Sequence, residues 1–432
     1  MRLFVRKDHP PYAPTGEAQH LLEDGVLQSP RLRLVETLVF SQRYTELVVL
    51  GDDRLVNTSL DDDDVWVIES HRMAWDCADC CKILEQQANN TIHSPQRTKP
   101  LRVLAFDFED DTDLYYCEGL ANIMTTTTTT ATTTDDNNNN NTKLPHVHQI
   151  LKRSIVIGRN WSEAAHFPRP GQLIEQGFSA AANGLRVLHS PYPVRTDLVE
   201  GIATFLLQHS RNVQSPLDVS HRPIDVAHFY ARQDTTVPMY DNLRNGVNAV
   251  LHSLEGTLVY SQKHVSCQSV SPRPLRAFVG IAGADNRAGR RWVHPHYVKR
   301  LLQSKIVVVA QRDGWVGHYR LLESMVGGAL VLADVTQDLP KGLRHGQSLL
   351  VYHNLTELRQ YIVHYLHHDT TRQKIAQRGW EIAMGYHRSW HLMESFLYGT
   401  PQSHVNEPYA VFAEDVETAR HNVESQPTAA VE

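Results

Sequence analysis

The sequence has few of the features that mark disulfide-stapled or membrane-embedded proteins. It contains five cysteines, an odd number without the regular spacing that would suggest a disulfide framework. Cys77, Cys80 and Cys81 favour free thiols on a helix over a zinc site, because no second pair follows at matching spacing. No apolar run approaches the length of a membrane-spanning helix. We therefore expect no integral membrane segment.

The sequence also lacks a large excess of charge of one sign. Lys and Arg number 42 against 48 Asp and Glu, which gives a net charge of -6. A mildly acidic chain is not suited to wrapping nucleic acid, so we expect no nucleic-acid partner. The first residues lack the apolar core of a signal peptide, which predicts a cytoplasmic protein. The secretory pathway is the alternative if this N-terminus is incomplete.

The length and composition predict two domains. The chain has 432 residues, 41% of them hydrophobic, which is enough for two apolar cores. A polar stretch around Pro216 suits a linker, so we predict an N-terminal domain over 1–210 and a C-terminal domain over 222–399. Residues 125–142 are a low-complexity Thr, Asp and Asn tract, interpreted as a disordered insertion in the first domain. Residues 400–432 are expected to form a flexible tail.

Residues 305–334 show the clearest structural pattern in the chain. They read KIVVVAQRDGWVGHYRLLESMVGGALVLAD. The apolar run at 305–310, rich in β-branched residues, predicts a strand buried on both faces of a parallel sheet. Helical spacing follows from 318, and a second buried strand follows at 329–333. The pattern predicts an α/β protein built from strand, glycine-bearing loop, helix and strand.

The loop between this strand and helix has the residues of an anion site. Ligands of parallel α/β sheets lie beyond the carboxyl ends of the strands, where this loop is placed. Glycines let backbone N–H groups approach an anion closely, and basic side chains add donors. Glu323 is suited to accept hydrogen bonds from a ribose diol; alternatively, it pairs with Arg320 on a solvated helix face. The predicted binding residues here are Arg312, Gly314, Gly317, Arg320 and Glu323.

Residues 320–334 resemble a stretch of known enzymes. The sequence RLLESMVGGALVLAD is similar to the "R-L-x-E-A-x-x-x-G-x-x-V-x-x-D" stretch of GT-B glycosyltransferases, especially the group-1-like branch with the spore-maturation-protein enzymes. The resemblance implies two Rossmann-like domains facing a cleft. It also implies that Glu323 holds the ribose of a nucleotide sugar and that the preceding loop holds its diphosphate. Many members carry a second acid where this chain has Trp315.

Further candidates lie near this stretch. A glycine-bearing loop at 282–293 contains Arg287, Arg290 and Arg291, which suit a second diphosphate clamp or, alternatively, a solvated basic loop. His318 is a catalytic candidate because a neutral imidazole can donate a proton to a leaving diphosphate. Asp313, the acid nearest to Trp315, is the other catalytic candidate.

The candidate functional residues of the N-terminal half are all acidic. The aspartate run at 61–64 is interpreted as an exposed turn and not as a metal-binding motif, because no apolar strand leads directly into it. Asp107 and Glu109 follow a predicted strand and are candidate bases for an acceptor hydroxyl; the alternative of solvated loop acids is slightly favoured.

These patterns together predict a glycosyltransferase. It is expected to move a sugar from a nucleotide-sugar donor to a glycan, lipid or protein acceptor, with neither a metal nor another cofactor. Two alternatives stay open: an exostosin-like glycosyltransferase, which shares the "R-L-x-E-A" stretch, and a non-catalytic nucleotide- or sugar-binding protein with the same fold.

Overall fold

The computed structural model describes the greater part of the C-terminal half and separate segments of the N-terminal half. The described residues are 2–6, 24–39, 44–51, 65–69, 82–84, 86–87, 90, 102–107, 148–152, 185–189, 192–209, 215–219, 221–230, 242–261, 275–280, 293–310, 319–334, 339–398 and 406–425. Among the helices within these ranges, none combines the length and apolarity needed to cross a bilayer.

The chain divides into two compact units. The first comprises Met1–Ser190 and Leu392–Ser403, and the second comprises Pro191–His391 and His404–Glu432. The strands are β1 Arg2–Arg6, β2 Leu32–Val39, β3 Tyr44–Gly51, β4 Val65–Glu69, β5 Arg102–Asp107, β6 His148–Lys152, β7 Leu185–His189, β8 Ile224–His228, β9 Ala277–Val279, β10 Ser304–Val309, β11 Leu330–Asp334 and β12 Leu350–Tyr352. The helices are α1 Gly25–Leu27, α2 Thr196–His209, α3 Asn242–Ser261, α4 Pro295–Gln303, α5 Arg320–Val326, α6 Leu355–His367, α7 Asp369–Tyr386, α8 Ser389–Tyr398 and α9 Pro408–Ser425.

The first unit contains a mixed sheet. Its strands, as far as they are described, follow the order β2-β3-β1-β4-β5-β6-β7. In the part of the sheet ordered β1-β4-β5-β6-β7, neighbouring strands are parallel. Strand β3 pairs antiparallel with both β1 and β2. Ser29 donates to Glu394 at 2.9 Å, and Arg31 lies 3.7 Å from the same carboxylate. This buried contact attaches the end of α8 to the first unit.

The second unit contains a parallel sheet. Its described strands follow the order β12-β11-β10-β8-β9, and every neighbouring pair is parallel. Val307 and Val309 of β10 enter one apolar core with α2 and α5, whereas Ile306 and Val308 enter another with α3 and α6. Alternate residues point to opposite faces, so β10 is buried on both sides. The α/β class, with a Rossmann-like parallel sheet, is confirmed; the predicted cleft between domains stays a prediction.

The linker is fixed to the parallel sheet through Arg222. Its guanidinium donates to the carbonyl oxygens of Ser304 at 2.9 Å, Gly327 at 3.1 Å and Pro216 at 2.8 Å. These carbonyls belong to three separate segments, and one planar group with several donors satisfies all of them. Gly328 has a φ of +74°, and a Cβ placed there would lie 2.7 Å from Arg222. The glycine is therefore required both by its backbone conformation and by the close approach of the guanidinium.

The structure differs from the sequence-based domain boundaries in two places. Helix α2, assigned to the first domain by the boundary at 210, belongs to the second unit. The flexible tail predicted over 400–432 is wrong for Pro408–Ser425, because this segment is helix α9 and packs Val411, Phe412 and Val416 into the core. The insertion at 125–142 and the aspartate run at 61–64 lie outside the described residues.

Helix α9 is also held by a buried ion pair. Arg388 donates two hydrogen bonds to Asp415, at 2.6 Å and 2.9 Å, and a third to Thr196 at 3.3 Å. Both members of the pair are almost fully buried. A two-point contact between guanidinium and carboxylate fixes orientation as well as distance, so it sets the position of α9 against α2.

We expect Arg222→Met to lower the free energy of unfolding by about 2–4 kcal/mol, because three carbonyl oxygens lose their donor. Urea denaturation measures the change. Arg378→Met is the matched control, because Arg378 is exposed and forms only a surface pair with Glu381 at 3.0 Å; a change within about 0.5 kcal/mol is expected there. Equal effects of the two variants would contradict a structural role for Arg222.

We expect Asp415→Ala to destabilise the protein by about 3–5 kcal/mol, since it leaves the buried Arg388 guanidinium without its counter-charge. The neighbouring Glu414 is exposed on the same helix, so Glu414→Ala should change stability by less than about 0.5 kcal/mol. Thermal or urea unfolding compares the two. If Asp415→Ala unfolds like the parent protein, α9 does not depend on this ion pair.

Candidate functional site

Polar side chains meet where the parallel strands of the second unit end. His228 is the last residue of β8, Asp334 of β11 and Tyr352 of β12. Asp334 and Tyr352 are register partners across adjacent strands. Because all strands of this sheet are parallel, these residues lie at its carboxyl edge, where α/β proteins bind ligands. This edge is the candidate site.

Tyr230 connects the site to two arginines. The guanidinium carbon of Arg244, from the first turn of α3, lies 3.9 Å from the centre of the Tyr230 ring. The guanidinium carbon of Arg320, at the start of α5, lies 4.6 Å from the same ring. Arg244 also donates to the Ala310 carbonyl at 3.3 Å, just beyond β10. Cation–π contacts to one buried aromatic ring therefore bring two positive charges together at the sheet edge.

Tyr230 itself is uncharged. Burial raises the pKa of its phenol to about 12, although the positive charges of Arg244 and Arg320 act in the opposite direction. The ring is 3% exposed. A neutral aromatic ring attracts guanidinium groups through its faces and adds no negative charge of its own.

His228 is held in one tautomer. Its Nδ1 lies 3.0 Å from the carbonyl oxygen of Val308, so Nδ1 carries the proton that this hydrogen bond requires. The imidazole is fully buried, and its centre is 4.6 Å from that of the Tyr230 ring. Burial, helped by the positive charges of Arg244 and Arg320, lowers the pKa of His228 to about 3. The imidazole is therefore neutral at physiological pH, with a lone pair on Nε2.

Glu323 is buried beside this cluster. It lies on α5, is 4% exposed, and accepts a hydrogen bond of 2.6 Å from the hydroxyl of Tyr297 on α4. Burial raises the pKa of the carboxyl group; the Tyr297 hydrogen bond and the positive charges of Arg195 and Arg320 oppose this effect. The alternative in which Glu323 pairs with Arg320 on a solvated helix face is wrong, since this carboxyl group is almost completely removed from solvent.

The predicted site residues separate into two groups. Arg320, Glu323 and Asp107 are described. The structure brings Arg320 to Tyr230 and Glu323 to Tyr297, whereas Asp107 is the last residue of β5 in the first unit, and its role as a base stays a prediction. His345, another histidine of this domain, accepts from the backbone N–H of Val351 at 2.9 Å, which indicates a structural role. The other predicted residues lie outside the described part of the chain: Arg287, Arg290, Arg291, Arg312, Asp313, Gly314, Gly317, His318 and Glu109.

The sequence analysis missed much of the polar cluster. His228, Tyr230 and Arg244 come from the first strand–loop–helix segment of the second unit, and Tyr297 and Tyr352 come from α4 and β12. A signal for Arg244 was available: it is a basic residue in the first turn of the helix that follows β8, the position that pointed to Arg320 after β10. The tyrosines carry no such signal, because an aromatic residue beside a strand is typical of a core.

Comparison with known proteins finds a family match for part of the chain. A family model described as glycosyl transferase-like matches residues 268–398. The resemblance to glycosyltransferases is thereby confirmed for that segment, which runs from β9 to α8. The narrower assignment to the spore-maturation branch stays a prediction. No curated protein matches the sequence.

Several solved structures are similar to this one. TarM from S. aureus gives a TM-score of 0.36 at 11% identity, over 68% of this chain and 54% of TarM. Anabaena HepE in complex with UDP and glucose gives 0.36 at 10% identity, over 78% of both chains. Sucrose-phosphate synthase from Thermosynechococcus elongatus gives 0.37 at 11% identity, over 74% of this chain and 78% of that enzyme. The chain therefore spans little more than half the length of TarM.

The raised pKa of Glu323 predicts a pH dependence of stability. The folded protein keeps this proton at pH values where the unfolded chain has lost it, so the contribution of Glu323 to stability falls as the pH rises above about 4.3. We expect Glu323→Gln, which retains an acceptor for Tyr297, to weaken this fall and to be at least as stable as the parent near neutral pH.

Urea unfolding of both proteins between about pH 4 and pH 7 tests this expectation. Glu424→Gln serves as the control, because Glu424 is exposed on α9. A clear loss of stability of Glu323→Gln at neutral pH would show that its partners hold the carboxylate in the ionised form.

Proposed function

We propose that this protein is a glycosyltransferase that moves a sugar from a nucleotide-sugar donor to an acceptor hydroxyl. The observation that carries the proposal is the pair of guanidiniums, Arg244 and Arg320, stacked on Tyr230 at the carboxyl edge of the parallel sheet. The unit with this pair also contains residues 268–391, the greater part of the segment 268–398 that matches the glycosyl transferase-like family. Position, charge and family match favour the same chemistry.

In this proposal the two arginines bind the diphosphate of the donor. A guanidinium presents N–H groups in a planar fork that matches phosphate oxygens, and a contact between its face and an aromatic ring does not use those edge donors. When the sugar leaves, negative charge grows on the diphosphate. Fixed positive charges in a site with little water stabilise that charge more strongly than solvent does. The arginines thus supply the charge for transfer without a metal.

Glu323 is the proposed ribose ligand. A carboxylate has about four acceptor positions on its two oxygens, and Tyr297 uses one of them at 2.6 Å. The hydrogen bond from Tyr297 fixes the orientation of the carboxyl group, which lowers the entropy cost of binding a diol. The resemblance in 320–334 favours this role. His318 and Asp313 stay the catalytic candidates, and the acceptor, whether glycan, lipid or protein, belongs to the same proposal.

A non-catalytic binding protein is the alternative that a sequence feature favours. Trp315 occupies the position where many glycosyltransferases with this stretch have an acid that contacts the donor sugar. A protein of this kind binds the nucleotide but does not break the bond to the sugar. Measuring hydrolysis of each bound donor over hours, with and without candidate acceptors, separates it from an enzyme.

We expect Arg244→Met and Arg320→Met each to raise the Kd of a nucleoside diphosphate by about 10- to 100-fold, the effect of losing charge-assisted hydrogen bonds. Calorimetry with UDP, GDP and ADP measures the change. Arg378→Met, on an exposed helix face, should bind all three like the parent protein. If the parent binds one of them and neither site variant weakens it, the diphosphate role is wrong.

A further inference from the structure

Two buried polar atoms at the candidate site have no hydrogen-bond partner in the described part of the chain. They are Nε2 of His228, whose residue is fully buried, and the hydroxyl oxygen of Tyr352, whose residue is 1% exposed. More than about nine in ten buried polar groups in folded proteins have a partner, so such atoms need an explanation. Both belong to residues that end a strand at the same edge of the parallel sheet.

The chemistry of the missing partner follows from the tautomer of His228. Because Nδ1 donates to Val308 at 3.0 Å, Nε2 carries a lone pair and acts only as an acceptor. A phosphate oxygen is an acceptor as well and does not suit it. A metal cation suits a neutral imidazole, but the positive charges of Arg244 and Arg320 act on this histidine and repel a cation. The partner that suits Nε2 is an uncharged donor such as a hydroxyl group.

Tyr352 presents similar chemistry. Its hydroxyl is a donor and an acceptor, and the register of β11 and β12 places Tyr352 beside Asp334, whose carboxylate is an acceptor. The described residues of this edge thus comprise two kinds of group. The guanidiniums of Arg244 and Arg320 carry N–H donors, which suit a diphosphate, whereas His228 and Tyr352 offer acceptors, which suit groups that carry O–H.

We propose that His228 and Tyr352 determine donor specificity by hydrogen bonding to hydroxyl groups of the nucleotide sugar, next to the arginines that hold its diphosphate. The inference rests on the proposed function. A nucleotide sugar has hydroxyl groups on both sides of its diphosphate, on the ribose and on the transferred sugar. Both sources have the same chemistry, and the ligands chosen for the test distinguish them.

The test uses two variants that delete one atom group each. His228→Asn retains an N–H near the Nδ1 position, and thus the donor to Val308, but removes Nε2. Tyr352→Phe removes only the hydroxyl oxygen. His387→Gln is the matched control: His387 is also fully buried, its Nε2 lies 2.8 Å from the Lys341 carbonyl, and its Nδ1 has no partner among the described residues. It follows α7 and does not end a strand.

Calorimetry gives the Kd of each protein for UDP, 2′-deoxy-UDP and 3′-deoxy-UDP. It also gives the Kd for the UDP-hexose that the parent binds best and for the monodeoxy analogues of that hexose. We expect each site variant to bind the UDP-hexose about tenfold more weakly than the parent. For the analogue that lacks the contacted hydroxyl, the parent and the variant should agree within about twofold, as a thermodynamic cycle requires.

The deoxy analogue that the parent and the variant bind with equal Kd identifies which part of the donor carries the contacted hydroxyl. Cancellation by a deoxyhexose donor assigns it to the transferred sugar, and cancellation by a deoxyribose assigns it to the nucleoside. His387→Gln should bind every ligand like the parent. Tyr352→Phe without ligand should be at least as stable as the parent, because the hydroxyl has no partner to lose among the residues that the structure describes.

Two results would overturn the inference. One is unchanged affinity of both site variants for the UDP-hexose. The other is a loss that no deoxy analogue cancels, which would indicate a structural effect or recognition of the base. Failure of the proposed function has a different result: the parent protein itself then binds neither the nucleoside diphosphates nor any donor.

Discussion

The second unit depends on the burial of β10 on both faces. Ile306 and Val308 point into one apolar core, and Val307 and Val309 into the other, so no face of this strand is open to water. Charged groups on such faces are costly to bury, which confines polar chemistry to the ends of the strands. The parallel arrangement then places every carboxyl end at one edge. His228, Asp334 and Tyr352 lie at this edge because of this constraint, although they are distant in the sequence.

Four of the described arginines differ in the kind of group that they contact, and this contact determines the role of each arginine. Arg388 forms a two-point ion pair with Asp415, which commits its donors to structure. Arg222 satisfies three backbone carbonyls and likewise serves the fold. Arg244 and Arg320 instead contact the face of Tyr230, a neutral ring. A ring face holds the guanidinium plane without neutralising its charge, and this contact suits an anion better than the ion pair of Arg388 does.

The sequence predicts the local parts of this arrangement and misses the distant ones. Strands β10 and β11, and helix α5 between them in sequence, follow from the apolar pattern of residues 305–334. These features depend on neighbours in the chain. Helix α9 has a weak apolar pattern, and its position is fixed by the ion pair with Arg388 and by packing against α2. No local sequence pattern reveals these distant contacts. The role of Tyr230 is equally hidden, since both arginines that stack on it come from other segments.

The family match covers some residues of the candidate site and leaves others out. Residues 268–398 contain α5 with Arg320 and Glu323, and β12 with Tyr352, but β8 and α3 precede them. His228, Tyr230 and Arg244 therefore lie outside the matched segment, and yet Tyr230 holds Arg320 from inside it. The candidate site is complete only when both parts pack on one sheet. The family match therefore accounts for only part of the site, because the part of the chain that it does not cover contributes one arginine, the central tyrosine and the buried imidazole.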